Sequence, residues 1–213
     1  MPVQKREIII LLIILVSILA SIYAYPRVPE QMASHWNAAG QINGYIPRLV
    51  GLALMPVISI GAFLLFLVIP RIDPLRRNIA KFRKYFDGFI VLMMLFLLYL
   101  HGLVIFANIG FTFNMMQVIA PALGAVFYYC GVLISHAKKN WSIGIRTPWT
   151  MSSERVWNET HKRGGKLFKA AGIIAFLGIV LPDYAIIFVL APVIASIVYT
   201  FVYSYVLYQK KRR

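Results

Sequence analysis

Six stretches of the chain are apolar for long enough to cross a bilayer: Ile8–Ala24, Leu49–Ile69, Gly88–Ala107, Phe113–Ser135, Leu167–Leu181 and Tyr184–Tyr208. About 20 such residues in a helix span a hydrocarbon core of roughly 30 Å. The fifth stretch is short, but Lys166 and Lys169 can snorkel from its first turn, so the span can begin near Gly164. The connections Ala107–Phe113 and Leu181–Asp183 are tight and force antiparallel neighbours, which predicts three helical hairpins. The expected fold is all-α, a polytopic bundle of six transmembrane helices.

Two polar segments interrupt the pattern. The first, Tyr25–Arg48, is broken by Pro26, Pro29 and Pro47 and carries turn signals at Ala39-Gly40 and Asn43-Gly44. The second, Asn140–Gly165 (NWSIGIRTPWTMSSERVWNETHKRGG), holds three of the four tryptophans and two of the seven acidic residues. Within it Thr147 is a candidate N-cap with Pro148 at the first helical position, and Gly164-Gly165 is a stop. On that short helix Glu154, Trp157, Asn158 and His161 share one face, and Trp149, Ser153, Val156 and Thr160 form the adjoining stripe. Such a helix is expected to lie at the membrane interface with Trp149 and Trp157 at headgroup depth. The chain then divides into an N-terminal hairpin, residues 1–70, and a four-helix remainder, residues 71–213, containing the polar loop 138–166.

Composition confirms the class and charge orients it. Apolar residues make up 60% of the 213 and charged residues 14%, outside the range of soluble domains. The net charge is +15, yet all of the 22 basic residues except Arg27 and Arg48 fall in alternate connections or beside the termini. By the positive-inside rule both termini and the two basic loops are cytoplasmic, and Tyr25–Arg48 is extracellular. Topology thus accounts for the charge, and direct nucleic-acid binding is not expected. The single Cys130 excludes an intrachain disulfide and reads as a packing residue. The first apolar stretch exceeds a usual signal-peptide core and Ile22-Tyr23-Ala24 is a poor cleavage site, so a retained helix is expected.

Neither a nucleotide-binding nor a zincin or serine-hydrolase motif is present, and no catalytic residue, cofactor or metal is assigned. Arg146 can grip a lipid phosphate or a carboxylate, with Glu154 or Glu159 as its protein partner, or serve as one more topological anchor. Glu154 and His161 read as a polar cluster, a pair of metal ligands or an acid–base pair. His101 is an ionisable group inside a span and hence a functional candidate. With Asn114 and Gln117 it supports an alternative function as a small-solute or proton-linked transporter or channel. Asp87 is expected to pair with Arg83, and Asp183 to cap the last span.

The segment His35–Arg48, HWNAAGQINGYIPR, resembles the His-Trp-Asn…Gly element that follows the first helix in a family of bacterial and archaeal membrane proteins. Ile143–Gly165, IGIRTPWTMSSERVWNETHKRGG, is similar to the signature of the SdpI family of immunity proteins, and the order of the two elements matches as well. The resemblance implies a prokaryotic cell-membrane protein that confers resistance to a secreted peptide toxin, with possible signalling to a cytoplasmic repressor and no enzymatic activity. It marks Asn140, Gly144, Arg146, Thr147, Pro148, Trp149, Ser153, Glu154, Trp157 and His161 as a cytoplasmic binding surface. It also marks His35, Trp36, Asn37, Gly40 and Gly44 as an extracellular one.

Overall fold

The computed structural model describes residues 5–210, with the side chain of Lys5 excepted; Lys211, Arg212 and Arg213, counted above among the basic residues, lie outside that range. Helix α1 (Lys5–Ala24) leads into a hairpin of strands β1 (Gln31–Trp36) and β2 (Ile42–Pro47). There follow α2 (Arg48–Ile72), the short α3 (Arg76–Lys81), α4 (Arg83–Asn108), α5 (Met115–His136), α6 (Pro148–Ser152), α7 (Glu154–Ala175) and α8 (Ala185–Gln209). Among the described residues five long helices, α1, α2, α4, α5 and the last, are apolar and long enough to cross a membrane. Their flanks explain this: Leu12, Ile22 and Val57 are 55%, 65% and 63% exposed, which only a lipid surround makes tolerable over so large an area. The chain is a multi-pass membrane protein.

The hairpin departs from the all-α expectation. Strand β1 pairs antiparallel with β2 from Gln31↔Pro47 to Trp36↔Ile42, with an irregularity near His35. Asn43-Gly44, expected to turn the chain, lies inside β2 at that irregularity. The turn is made instead by Asn37, whose Oδ1 accepts the backbone N–H groups of Ala39 and Gln41, both at 3.0 Å. Capture of two N–H groups by one side chain outcompetes the Asn-Gly signal. Asn108, at the end of α4, docks the hairpin by accepting from Ala33 N (2.7 Å) and donating to Ala33 O (3.0 Å).

Three helices are tied inside the apolar region by a chain of polar contacts. Pro56 lacks the N–H that would bond the Leu52 carbonyl, and Ser21 Oγ donates to that carbonyl at 2.8 Å, with Ser17 O an alternative acceptor at 3.1 Å. Either way the single hydroxyl proton is used, so Ser21 Oγ accepts from His101 Nε2 at 2.9 Å. At the opposite end Asp87 pairs with Arg83 at 2.6 Å, as expected, and also with Arg6.

The second polar segment differs most from expectation. Thr147 does cap a helix with Pro148 at its start, but α6 has only five residues. Ser153 then caps α7, which runs 22 residues straight through Gly164-Gly165. The glycines do not stop the helix; they let it touch α5. A Cβ on Gly131 would lie 2.5 Å from Gly165 O, and one on Gly124 2.6 Å from Gly172 O. Glycines seven residues apart on both antiparallel helices thus place backbone against backbone at two points, the close approach that small residues permit in membranes. As far as Lys169, α7 carries Glu154, Arg155, Glu159, Lys162, Arg163, Lys166 and Lys169, so this helix is not among the five. Nor is α8 capped by Asp183: a 3-10 turn, Pro182–Tyr184, precedes it, and Tyr184 provides no side-chain cap.

Candidate functional site

At the end of the bundle where the basic loops meet, the segment after α5 folds around one amide. Asn140 is fully buried; its Nδ2 donates to Lys138 O and Ile143 O, both at 2.8 Å, and its Oδ1 accepts from Ser142 N (2.8 Å) and Ile143 N (2.6 Å). Every donor and acceptor of that amide is thus used. Asp73, in the other basic loop, is 2% exposed and accepts three hydrogen bonds: from Leu75 N at 2.7 Å, Trp141 N at 3.0 Å and Ser142 Oγ at 2.6 Å. Asn78 adds a bond to Lys139 O at 2.8 Å. Sequence reasoning passed over Asp73 and Asn78. The available signal was an Asp-Pro turn initiator, a lone acid among arginines.

Past that turn the chain must pass close to α7. Gly144 adopts φ 121°, where a side chain is strained, and a Cβ there would collide with His161 Nε2. His161 is buried; its Nδ1 donates to Trp157 O at 2.8 Å and its Nε2 accepts from Ile145 N at 3.0 Å. Because a carbonyl only accepts and a backbone N–H only donates, these partners fix the neutral Nδ1–H tautomer. Burial accordingly pushes the His161 pKa down to about 4. The His161 ring stacks on Trp157 with centroids 3.9 Å apart, and Trp157 Nε1 donates to Ala137 O at 2.9 Å.

Trp157 is therefore fully buried, in a core with Ile10, Phe82, Phe86 and Leu133, and does not sit at headgroup depth. The buried face of α7 combines the two expected stripes as Ser153, Val156, Trp157, Thr160 and His161. Glu154 and Asn158 are exposed. Glu154 and His161 are not brought together, which removes the acid–base pair. Among the described residues no group of three or more His, Cys, Asp or Glu side chains is placed to hold a metal.

The signature segment closes on the last helix. Thr147 Oγ1 meets Ser204 Oγ at 3.0 Å, and Thr150 Oγ1 donates to Ile145 O at 2.8 Å. Trp149 packs on Phe201 and Tyr205 with centroids 5.1 and 5.0 Å away. Pro148 is exposed at the start of α6. Arg146 is exposed and donates to Trp141 O, so the expected ion pair with Glu154 or Glu159 is not formed. Arg146 and the Glu154–Asn158 edge stay accessible above a locked base.

The hairpin residues form a second group at the other end. His35 donates from Nδ1 to Asn43 Oδ1, Trp36 is half-buried, and Gly40 takes φ 76° in the turn. Gly44 faces His35 so closely that a Cβ would lie 2.9 Å from His35 Cβ. His101 belongs to neither group; it is buried in the contacts to Ser21.

The family model described as "SdpI/YfhL protein family" matches residues 136–204, which contain the signature segment and its α8 partner. A model described as "Domain of unknown function (DUF1648)" matches residues 12–60, including the hairpin. The chain is 27% identical over 208 residues to "Immunity protein SdpI" of Bacillus subtilis (strain 168), covering 97% of this chain and 98% of that one. No solved structure matches.

Proposed function

We propose, from the premise that this chain belongs to the SdpI/YfhL family, that it is an integral membrane immunity protein giving resistance to a secreted peptide toxin. The observation that carries this reading is the near end-to-end similarity to an immunity protein, 97% of one chain against 98% of the other. It acts by binding and not by catalysis: His161 and Asp73, the buried groups nearest the signature, spend their polar atoms on backbone groups and on the Ser142 hydroxyl.

In this reading the stretch from near Gly164 to Leu181, the second half of α7 and the turn after it, makes the sixth crossing, and both termini and the signature segment are cytoplasmic. Hydrogen bonds from Ser142 to Asp73 and from Asn78 to Lys139 support a common side for the two basic loops. The hairpin, with His35, Trp36 and Asn37, then faces outward and makes first contact with the toxin. On the cytoplasmic side Arg146, Glu154 and Asn158 present a polar edge suited to signalling to a soluble repressor. The transporter alternative is weaker, because Gln117 is bonded to Ile179 O at 2.7 Å, Asn114 to Gln117 N at 3.1 Å and His101 to Ser21.

Survival is the test. Toxin-sensitive cells expressing the chain are expected to outlive controls, and Arg146→Ala or Glu154→Ala protein inserted in equal amount is expected to lose the protection. Unchanged sensitivity with correctly inserted wild-type chain overturns the proposal.

A further inference from the structure

A groove of about 480 Å³ runs along the flank of the bundle at its basic end. Five helices wall it, through Phe66 of α2, Phe89 of α4, Ile134 of α5, Phe168 of α7 and Ile197 of α8, and the Ser142–Thr147 segment forms its rim with Arg146. Its volume is that of a ligand site, about 300–1,000 Å³. We propose that this groove holds an acyl chain of one anionic phospholipid from the adjoining leaflet, with the lipid phosphate held by Arg146.

The two halves of a phospholipid match the two halves of the groove. The walls are aliphatic and aromatic, and Ile197 and Phe201, both about half exposed, join them to the surface that the bilayer covers. An acyl chain can therefore enter sideways without crossing water. At the rim the chemistry changes. Arg146 carries five N–H donors, of which Nη1 is directed to the Trp141 carbonyl. None of the ion pairs among the described residues includes Arg146, so its charge is complementary to an anion arriving from outside the protein. A planar guanidinium suits phosphate oxygens better than an ammonium does. Gly144 and its left-handed φ let the rim fold tightly over His161, which holds Arg146 at the mouth on a rigid base.

The experiment is native mass spectrometry of the full chain released from detergent, with equal amounts of phosphatidylglycerol and phosphatidylcholine of identical acyl chains. It reads lipid retention and is independent of toxin survival. Wild-type protein is expected to retain one phosphatidylglycerol in preference to phosphatidylcholine by about tenfold, the scale of one charge-assisted contact. Arg146→Gln should abolish the preference, Arg146→Lys should keep part of it, and Ile197→Trp, which fills the groove, should lose both lipids. Equal retention of the two lipids by wild type, a preference surviving in Arg146→Gln, or unchanged retention by Ile197→Trp overturns the proposal. Displacement of the lipid by an equal concentration of soluble glycerol phosphate also overturns it, because the acyl chain then contributes nothing.

Discussion

Asp73 accepts the hydroxyl of Ser142 at 2.6 Å across 69 positions of sequence, fastening one basic loop to the other. The same Oδ2 accepts Trp141 N. Asp73→Asn can turn an NH2 donor toward those two donors, and whichever amide orientation is chosen, an accepting oxygen is lost. A buried unsatisfied donor costs about 1–3 kcal/mol, so a lowered thermal midpoint of the purified protein is expected. Ser142→Ala, which removes one bond and leaves the Asp73 contact to Trp141 N in place, should lower it less. An unchanged midpoint in Asp73→Asn would show that the two loops are not joined through this carboxylate.

The glycine contacts between α5 and α7 predict a sign. Were Gly164-Gly165 a helix stop or a mere interior weakness, Gly165→Ala would stabilise or barely affect α7, since alanine is favoured by about 1 kcal/mol in helices. Because the new Cβ meets Ser135 Oγ and Gly131 O, overpacking should instead destabilise by about 1–3 kcal/mol. Ser135→Gly in the same chain should recover part of the loss. Thermal midpoints of the single and double variants decide between the two signs.

His161 makes stability depend on pH. Its folded pKa of about 4 lies below the ordinary value near 6.5, so the unfolded chain binds the proton more readily. The stabilisation is complete above about pH 6.5, falls as the pH drops toward 4 and is gone below that. Over that window it amounts to roughly 3 kcal/mol. His161→Gln should flatten this part of the profile; a wild-type profile that is level from pH 7 to 4 would remove the neutral, buried histidine.

Pro56 and Ser21 should be coupled. Ser21→Ala leaves the Leu52 carbonyl without its donor, whereas Pro56→Ala supplies a backbone N–H for that carbonyl. In a double-mutant cycle the loss from Ser21→Ala should shrink when Pro56→Ala is already present, by about 0.5–3 kcal/mol. Strict additivity of the two substitutions would contradict the compensation.

The apolar runs announced most of the membrane helices, because nothing else in a chain needs twenty residues without a charge. Arg83–Asp87 was also legible, since helical spacing alone brings the two together. The fate of Gly164-Gly165 was not. The same dipeptide ends a helix exposed to water and continues one that has a glycine-bearing neighbour, and the neighbour is 34 positions away in the chain. The hairpin was hidden for a related reason: its six-residue strands are stabilised by Asn108 and Met32, contacts with helices that no local pattern reveals. In the site, Thr147-Pro148 declared its cap through local chemistry, whereas Asp73 and the burial of Trp157 depended on which loops meet.

The unbroken course of α7 gives the molecule a push rod. Its 22 residues extend about 33 Å at 1.5 Å per residue, with the Trp157–Ala137 bond near one end and, just past the other, the Gln117–Ile179 bond. The helix is unbroken at Gly164-Gly165, and a 3-10 turn, Phe176–Ile179, joins it to the second bond. Against α5 it is seated at the glycines, with Ser135, Lys169 and Phe176 packed around those points. An axial shift of α7 therefore moves both bonds together and, through His161 and Ile145, reaches the Arg146 rim at the other end of the bundle.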